Sequence, residues 1–207
     1  MKTLKSNSVN EIIIKNSRFI TLLYKLNDIN DVSSLVEEVK SLYPKATHYC
    51  YAYITDNARR SSDDGEPGGT AGAPMLNVLD KEEIINVLAV TVRYFGGIKL
   101  GAGGLVRAYS KSVRDAILAS EAVDVVKGYR MNVTISYDMQ KNLDYLLKNY
   151  VIVNKQFNDK VIYTILLPID KLSILGGYNY EILNEEYIEK VEIWNAPLRV
   201  DINKKVF

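Results

Sequence analysis

Apolar positions along the chain change period several times, most sharply between Asn86 and Leu118. Val87 to Phe95 is a β-branched apolar run suited to a central strand covered on both faces. Gly96-Gly97 ends it, and Gly101, Gly103 and Gly104 permit positive φ or close backbone approach. From Leu105 to Leu118 the period becomes helical. Leu105, Tyr109, Val113, Ala116 and Ile117 form the buried stripe, while Arg107, Lys111 and Arg114, at i, i+4 and i+7, share the exposed face.

Before this motif, Val9 to Lys15 and Arg18 to Leu26 read as a hairpin turning at Asn16-Ser17, with Lys15 and Arg18 at its tip. Ile29 to Tyr43 has a helical period closed by Pro44. Thr47 to Thr55 alternates as a strand, with His48, Cys50, Ala52 and Ile54 on one face and Tyr49, Tyr51 and Tyr53 on the other. From Asp56 to Pro74 the pattern collapses into a long loop. Thr70 to Leu79 then begins a short helix, with Thr70 as N-cap and Pro74 in the first turn.

In the second half, Arg130 to Tyr137 predicts a strand, and Asp138 caps a helix carrying Leu143, Leu146 and Leu147. Val151 to Phe157 and Val161 to Pro168 form a hairpin about Asn158-Asp159, and Tyr187 to Trp194 gives the last strand. A second helix after Leu172, Ile174 and Leu175 meets Gly176-Gly177. Each helical glycine costs about 1 kcal/mol against alanine, so this helix is expected to be short or broken. Tyr178 and Tyr180 beside it serve either as core filling or as an exposed patch.

Composition narrows the function. A chain of 207 residues with 47% hydrophobic and 25% charged residues fits a soluble globular protein of two small domains, residues 1–127 and 128–207. No apolar leader and no run of eighteen apolar residues mark it for secretion or a membrane, so a cytoplasmic protein is expected. One cysteine and one histidine exclude zinc sites of the usual Cys/His type. With a net charge of +1, any nucleic-acid affinity must come from local clustering.

The glycine turn is the first candidate for such clustering. A helix start leaves free backbone N–H groups and a positive dipole end, which suit an anion. Arg93, Lys99, Gly101, Gly103, Gly104, Arg107, Lys111 and Arg114 therefore form a candidate anion or nucleic-acid site, against the alternative of a tight turn with a solvated helix face. The spacing matches neither the Walker loop nor the dinucleotide fingerprint. A second candidate is the acidic loop of Ser61, Ser62, Asp63, Asp64 and Glu66. Its carboxylates repel unless they hold a divalent cation such as Mg²⁺ or pair with Arg59, Arg60 or the basic stripe. His48 and Cys50, about 7 Å apart along one strand face, allow either a Cys–His dyad or ordinary core packing. Tyr49, Tyr51 and Tyr53 offer base stacking or packing beneath a helix.

RSSDDGEPGGTAG followed by VTVRYFGGIKLGAGGLVRAYS, together with KNSRF at Lys15 to Phe19 and ATHYCYAY at Ala46 to Tyr53, resembles the signature stretches of the bacterial YigZ family, related to the eukaryotic IMPACT proteins. The resemblance implies an α+β protein. Its first domain would have the two-layer α/β fold of ribosomal-protein type shared with GHMP kinases, RNase PH and domain IV of elongation factor G. A ferredoxin-like βαββαβ domain similar to domain V of that factor would follow. No reaction follows from the resemblance; its eukaryotic members bind the activator of the amino-acid-starvation kinase and regulate translation, but carry a different extra domain, which this chain is expected to lack.

Three functions stand open at this point. The first is a nonenzymatic, translation-associated protein contacting RNA, the ribosome or a regulatory protein. The second is a Mg²⁺-dependent enzyme on a small phosphorylated or acidic substrate. The third is a protein-binding adaptor without nucleic acid. No cofactor is expected beyond that conditional Mg²⁺.

Overall fold

A computed structural model describes residues 1–190, which fall into two compact units, Met1–Asp124 and residues from Val125 onward. In the first unit, β2 (Ser8–Ile14), β3 (Ser17–Lys25), β6 (Val87–Tyr94), β4 (His48–Ile54) and β5 (Arg59–Ser62) form a five-stranded sheet in the order β2-β3-β6-β4-β5. Every pairing in it is antiparallel. As its continuous apolar run requires, β6 lies at the centre, buried from Val87 to Arg93. Lys15 and Asn16 turn the first hairpin with φ of 45° and 63°, the left-handed pair that a two-residue connection needs.

The register separates the two faces. Ile20, Leu22, Tyr24, Leu88, Val90, Val92 and Tyr53 pack with Val32, Val36 and Val39 of α1 (Asp31–Leu42). The opposite face faces α2 (Gly72–Lys81) and α3 (Ala102–Ala119); there Thr21 Oγ1 lies 2.8 Å from Thr91 Oγ1 and 2.5 Å from Ser112 Oγ of α3. To the sheet and helix pair of a two-layer fold, α1 thus adds cover on the other face. Leu105, Tyr109, Val113, Ala116 and Ile117 are all buried, the stripe that the helical period sets. A short β1 (Lys2–Leu4) pairs with Ala122–Asp124, where β7 (Ala122–Ile135) begins.

In the second unit β7 continues, a 3-10 turn (Tyr137–Met139) leads into α4 (Gln140–Leu146), and β8 (Val151–Phe157), β9 (Val161–Pro168) and β10 (Asn179–Glu189) follow. The antiparallel order β10-β7-β9-β8 is that of a ferredoxin-like βαββαβ sheet. Its core gathers Met131, Val133, Tyr163, Ile165 and Leu167 with Leu143 and Leu147. The second helix is reduced to a 3-10 segment, Ile169–Leu175, ahead of the two glycines.

Several boundaries move. The expected loop from Asp56 contains β5, an edge strand whose polar sequence carries no apolar alternation. The N-cap of α2 is Ala71, while the Thr70 hydroxyl donates to Pro67 O at 2.7 Å. Likewise, Asp138 lies in the 3-10 turn and makes no side-chain cap to α4, whose N-cap is Met139. β10 starts at Asn179, eight residues before Tyr187, and residues 191–194 of the expected last strand lie outside the described residues. Tyr180 is 39% exposed on β10, and Tyr178 packs against the second core.

Candidate anion and nucleic-acid interface

β3 begins, β6 ends and β4 begins at the same end of the first sheet, so the loops that adjoin them meet there. The β2–β3 tip touches the glycine turn: a Cβ on Gly96 would collide with the backbone of Asn16 and Ser17. Phe95 N donates to Thr47 Oγ1 at 3.1 Å, and the Tyr94 hydroxyl donates to Pro44 O at 3.2 Å. The backbone of Lys15, Lys45 and Gly96 is thereby gathered on one edge, from which α3 departs.

Gly101, at φ 71°, is the N-cap of α3 and its carbonyl accepts from Leu105 N at 2.9 Å. Among the described residues no side chain caps the helix start. The first-turn amides, including those of Gly103 and Gly104, therefore keep the unpaired donors on which anion binding depends. Arg107 and Lys99 are exposed and make no ion pair among the described residues. The rest of the stripe is engaged locally: Lys111 Nζ lies 2.8 Å from Asp115 Oδ2, and Arg114 Nε lies 3.7 Å from Glu82 Oε1.

Arg93 must be removed from the surface set. Strand alternation puts it on the α2/α3 side, in one row with His48 and Phe19. Its guanidinium sits 5.5 Å from the Phe19 ring centroid and 5.6 Å from that of Phe95. Nη1 donates to Glu66 Oε1 at 2.6 Å, with the two side chains 6% and 3% exposed. The Tyr109 hydroxyl donates to the same oxygen at 2.8 Å, and His48 Nε2 lies 3.8 Å from Glu66 Oε2. Burial, then the neighbouring Cys50 and Glu66, push the Tyr109 hydroxyl far above its ordinary range, so it stays protonated and donates. This clasp ties the acidic loop to β6 and α3.

The other carboxylates are also held by the chain. Asp63 accepts from Gly69 N (2.8 Å), Ala71 N (3.0 Å) and Gly72 N (2.8 Å), so an upstream anion rather than Thr70 satisfies the start of α2. Asp64, at φ 41°, accepts from Tyr49 N at 2.6 Å, and its carbonyl accepts from His48 Nδ1 at 2.8 Å. Arg59 pairs with Asp80 at 3.5 Å instead of the acidic loop, and Ser61 and Ser62 lie on β5. Among the described residues no group of three His, Cys, Asp or Glu side chains converges as a metal-ligand set.

Cys50 is fully buried, and its S–H donates to Asp63 O at 2.9 Å, with Tyr109 Oη 3.3 Å away. Burial pushes the thiol up to about 12, which removes the thiolate that a Cys–His dyad requires. The tyrosine row is likewise structural: Tyr53 is buried in the α1 cluster, Tyr49 and Tyr51 pack against it, and the Tyr49 hydroxyl donates to Tyr43 O at 2.6 Å. At this edge of the first sheet Phe95 is 46% exposed, because β6 stops at Tyr94. The apolar run conceals it as one more strand residue.

Burial opposes ionisation of Asp63, but its three backbone donors outweigh that and hold its carboxyl below the usual range. Its stabilisation is therefore complete above the unfolded value, about 4, and fades as pH falls through the lower folded value. Asp63→Ala is expected to cost about 1–2 kcal/mol at neutral pH. Urea unfolding should show this gap closing below about pH 4.

Fold and edge together define a two-unit α+β protein whose first unit presents a glycine-rich, cation-flanked helix start. The Impact N-terminal domain family matches residues 15–117. The chain is 46% identical over 118 residues to the IMPACT family member YvyE of Bacillus subtilis, covering 56% of this chain and 54% of that protein. It is 36% identical over 169 residues to the IMPACT family member YigZ of Escherichia coli, covering 77% of this chain and 82% of that one. A crystal structure of a hypothetical protein aligns over 88% of this chain and 97% of its own, at 29% identity and a TM-score of 0.58. The chain belongs to the IMPACT family. Among the described residues, no helix is long and apolar enough to cross a membrane.

Proposed function

We propose that the protein is a nonenzymatic, translation-associated binding protein of the cytoplasm that holds the phosphate backbone of RNA, free or within the ribosome, where α3 begins. The observation that carries this reading is that, among the described residues, exposed Lys99 and Arg107 are unpaired beside a helix start that no side chain caps. Phosphate suits these donors in charge and geometry. Phe95 adds an exposed ring at the same edge, and rings interleaved with cations are the surface that unpaired bases stack on. Translation is the setting that the IMPACT resemblance implies, since its eukaryotic members regulate that process.

Lys111 and Arg114 play a lesser part here than the sequence pattern gives them, because Asp115 and Glu82 lie within ion-pair distance of them and compete with a phosphate. Asp63, Asp64 and Glu66 lend a Mg²⁺-dependent reaction no support, each being held by donors of the chain. The test is binding of a short single-stranded RNA to the full chain. Lys99→Ala with Arg107→Ala is expected to weaken it by about tenfold or more at low salt, and Lys111→Ala with Arg114→Ala by much less. Equal losses in both pairs would remove the helix start from the account.

A further inference from the structure

In the second unit, a cleft of about 260 Å³ opens where β7 ends and β10 begins. Its apolar wall is Ile135, which is buried, and Met139. Around them stand Thr134, Ser136, Lys160, Tyr178 and Asn179, brought from three separate segments of chain. None of these five makes a side-chain hydrogen bond or ion pair with another described residue. Ser136, Lys160 and Asn179 are exposed and Thr134 and Tyr178 half-buried, so their polar groups are open to solvent and to a ligand. Next to the five, Gly177 turns the chain at φ 95°, and a Cβ there would meet nothing within 4 Å.

A concave site with an apolar wall and a few convergent polar groups is the general form of a small-molecule site. Here the charge sets the ligand class. One ammonium, two aliphatic hydroxyls, a phenol and an amide balance a single negative charge, whereas a phosphate would bring nearly two. We propose that this cleft binds a small apolar monocarboxylate, of about the size of an amino acid, with its carboxylate at Lys160 and its apolar part against Ile135 and Met139.

The probe is benzoate, with uncharged benzamide as its isostere, titrated into the full chain and followed by backbone amide NMR shifts. A ligand of this size binds with a Kd of about 1 mM or weaker. Saturable shifts confined to residues 134–139, 160 and 177–179 are expected with benzoate, and at least about threefold weaker binding with benzamide. Lys160→Gln should remove that preference without changing the spectrum of the first unit. The proposal is overturned by an absence of saturable shifts at about ten times that concentration, by equal binding of the two probes, or by a preference that survives Lys160→Gln.

Discussion

Glu66→Ala is expected to lower the unfolding free energy by about 3–5 kcal/mol. The loss is large because what remains is worse than what is removed. Arg93, 6% exposed on its side chain, would keep its charge with no counter-charge, and the Tyr109 hydroxyl would lose its acceptor. Adding Arg93→Met should restore much of the loss, since the orphaned charge leaves with it. Urea unfolding of the two variants checks this. A loss below about 1 kcal/mol for Glu66→Ala would mean that the pair behaves like a solvated one and the clasp is unimportant.

Gly96→Ala is expected to cost about 2–3 kcal/mol, the cost of forcing a methyl group into packed backbone. A Cβ at this position meets the carbonyl carbon and oxygen of Asn16 and the nitrogen of Ser17, main-chain atoms that cannot swing away as a side chain would. The neighbouring Gly97 is the control. It sits at φ 83°, and a methyl group there would have nothing within 4 Å, so Gly97→Ala should cost only about 1 kcal/mol of backbone strain. Thermal unfolding that ranks the two in the opposite order would separate the hairpin tip from the glycine turn and dissolve the edge on which the site is built.

The strand, glycine turn and helix from Val87 to Ala119 are legible in the sequence because their burial follows one period at a time: β6 has apolar side chains on both faces and α3 has one stripe. β5 is not, since Arg59, Arg60, Ser61 and Ser62 form a polar edge strand whose one strand partner is β4. The first part of β7 is hidden by Gly128, which reads as a breaker. In the fold it is a close contact, where a Cβ would lie 2.7 Å from Leu167 O and strike the Ile188 side chain. Both contacts come from strands far away in sequence.

The site is legible only in part, and Arg93 shows why. As a cation just before a glycine turn it looks like surface charge. Yet its parity with Ala89 and Thr91 already points it to the face that α2 and α3 cover, and a buried guanidinium demands a carboxylate. That parity is the available signal. The partner, Glu66, is 27 residues away, and nothing local distinguishes it from Asp63 and Asp64. Tyr109 lies in the buried stripe, where a hydroxyl needs an acceptor, so the same reasoning asks what it bonds. Of the α3 stripe, Lys111 has its partner Asp115 four residues on in the same helix, whereas the partner of Arg114 is Glu82, a residue of another segment that only the packing of α2 against α3 brings near.

The most direct measurement is the salt dependence of RNA association. The logarithm of the affinity of the full chain for a short single strand is plotted against the logarithm of salt concentration. The slope counts the phosphates neutralised, at about 0.7 per contact for a single strand. Lys99→Ala with Arg107→Ala should flatten it by about 1.4, and Lys111→Ala with Arg114→Ala should leave it nearly unchanged. A slope that is the same in the Lys99/Arg107 double variant as in the unaltered chain would contradict an RNA-binding role for the start of α3.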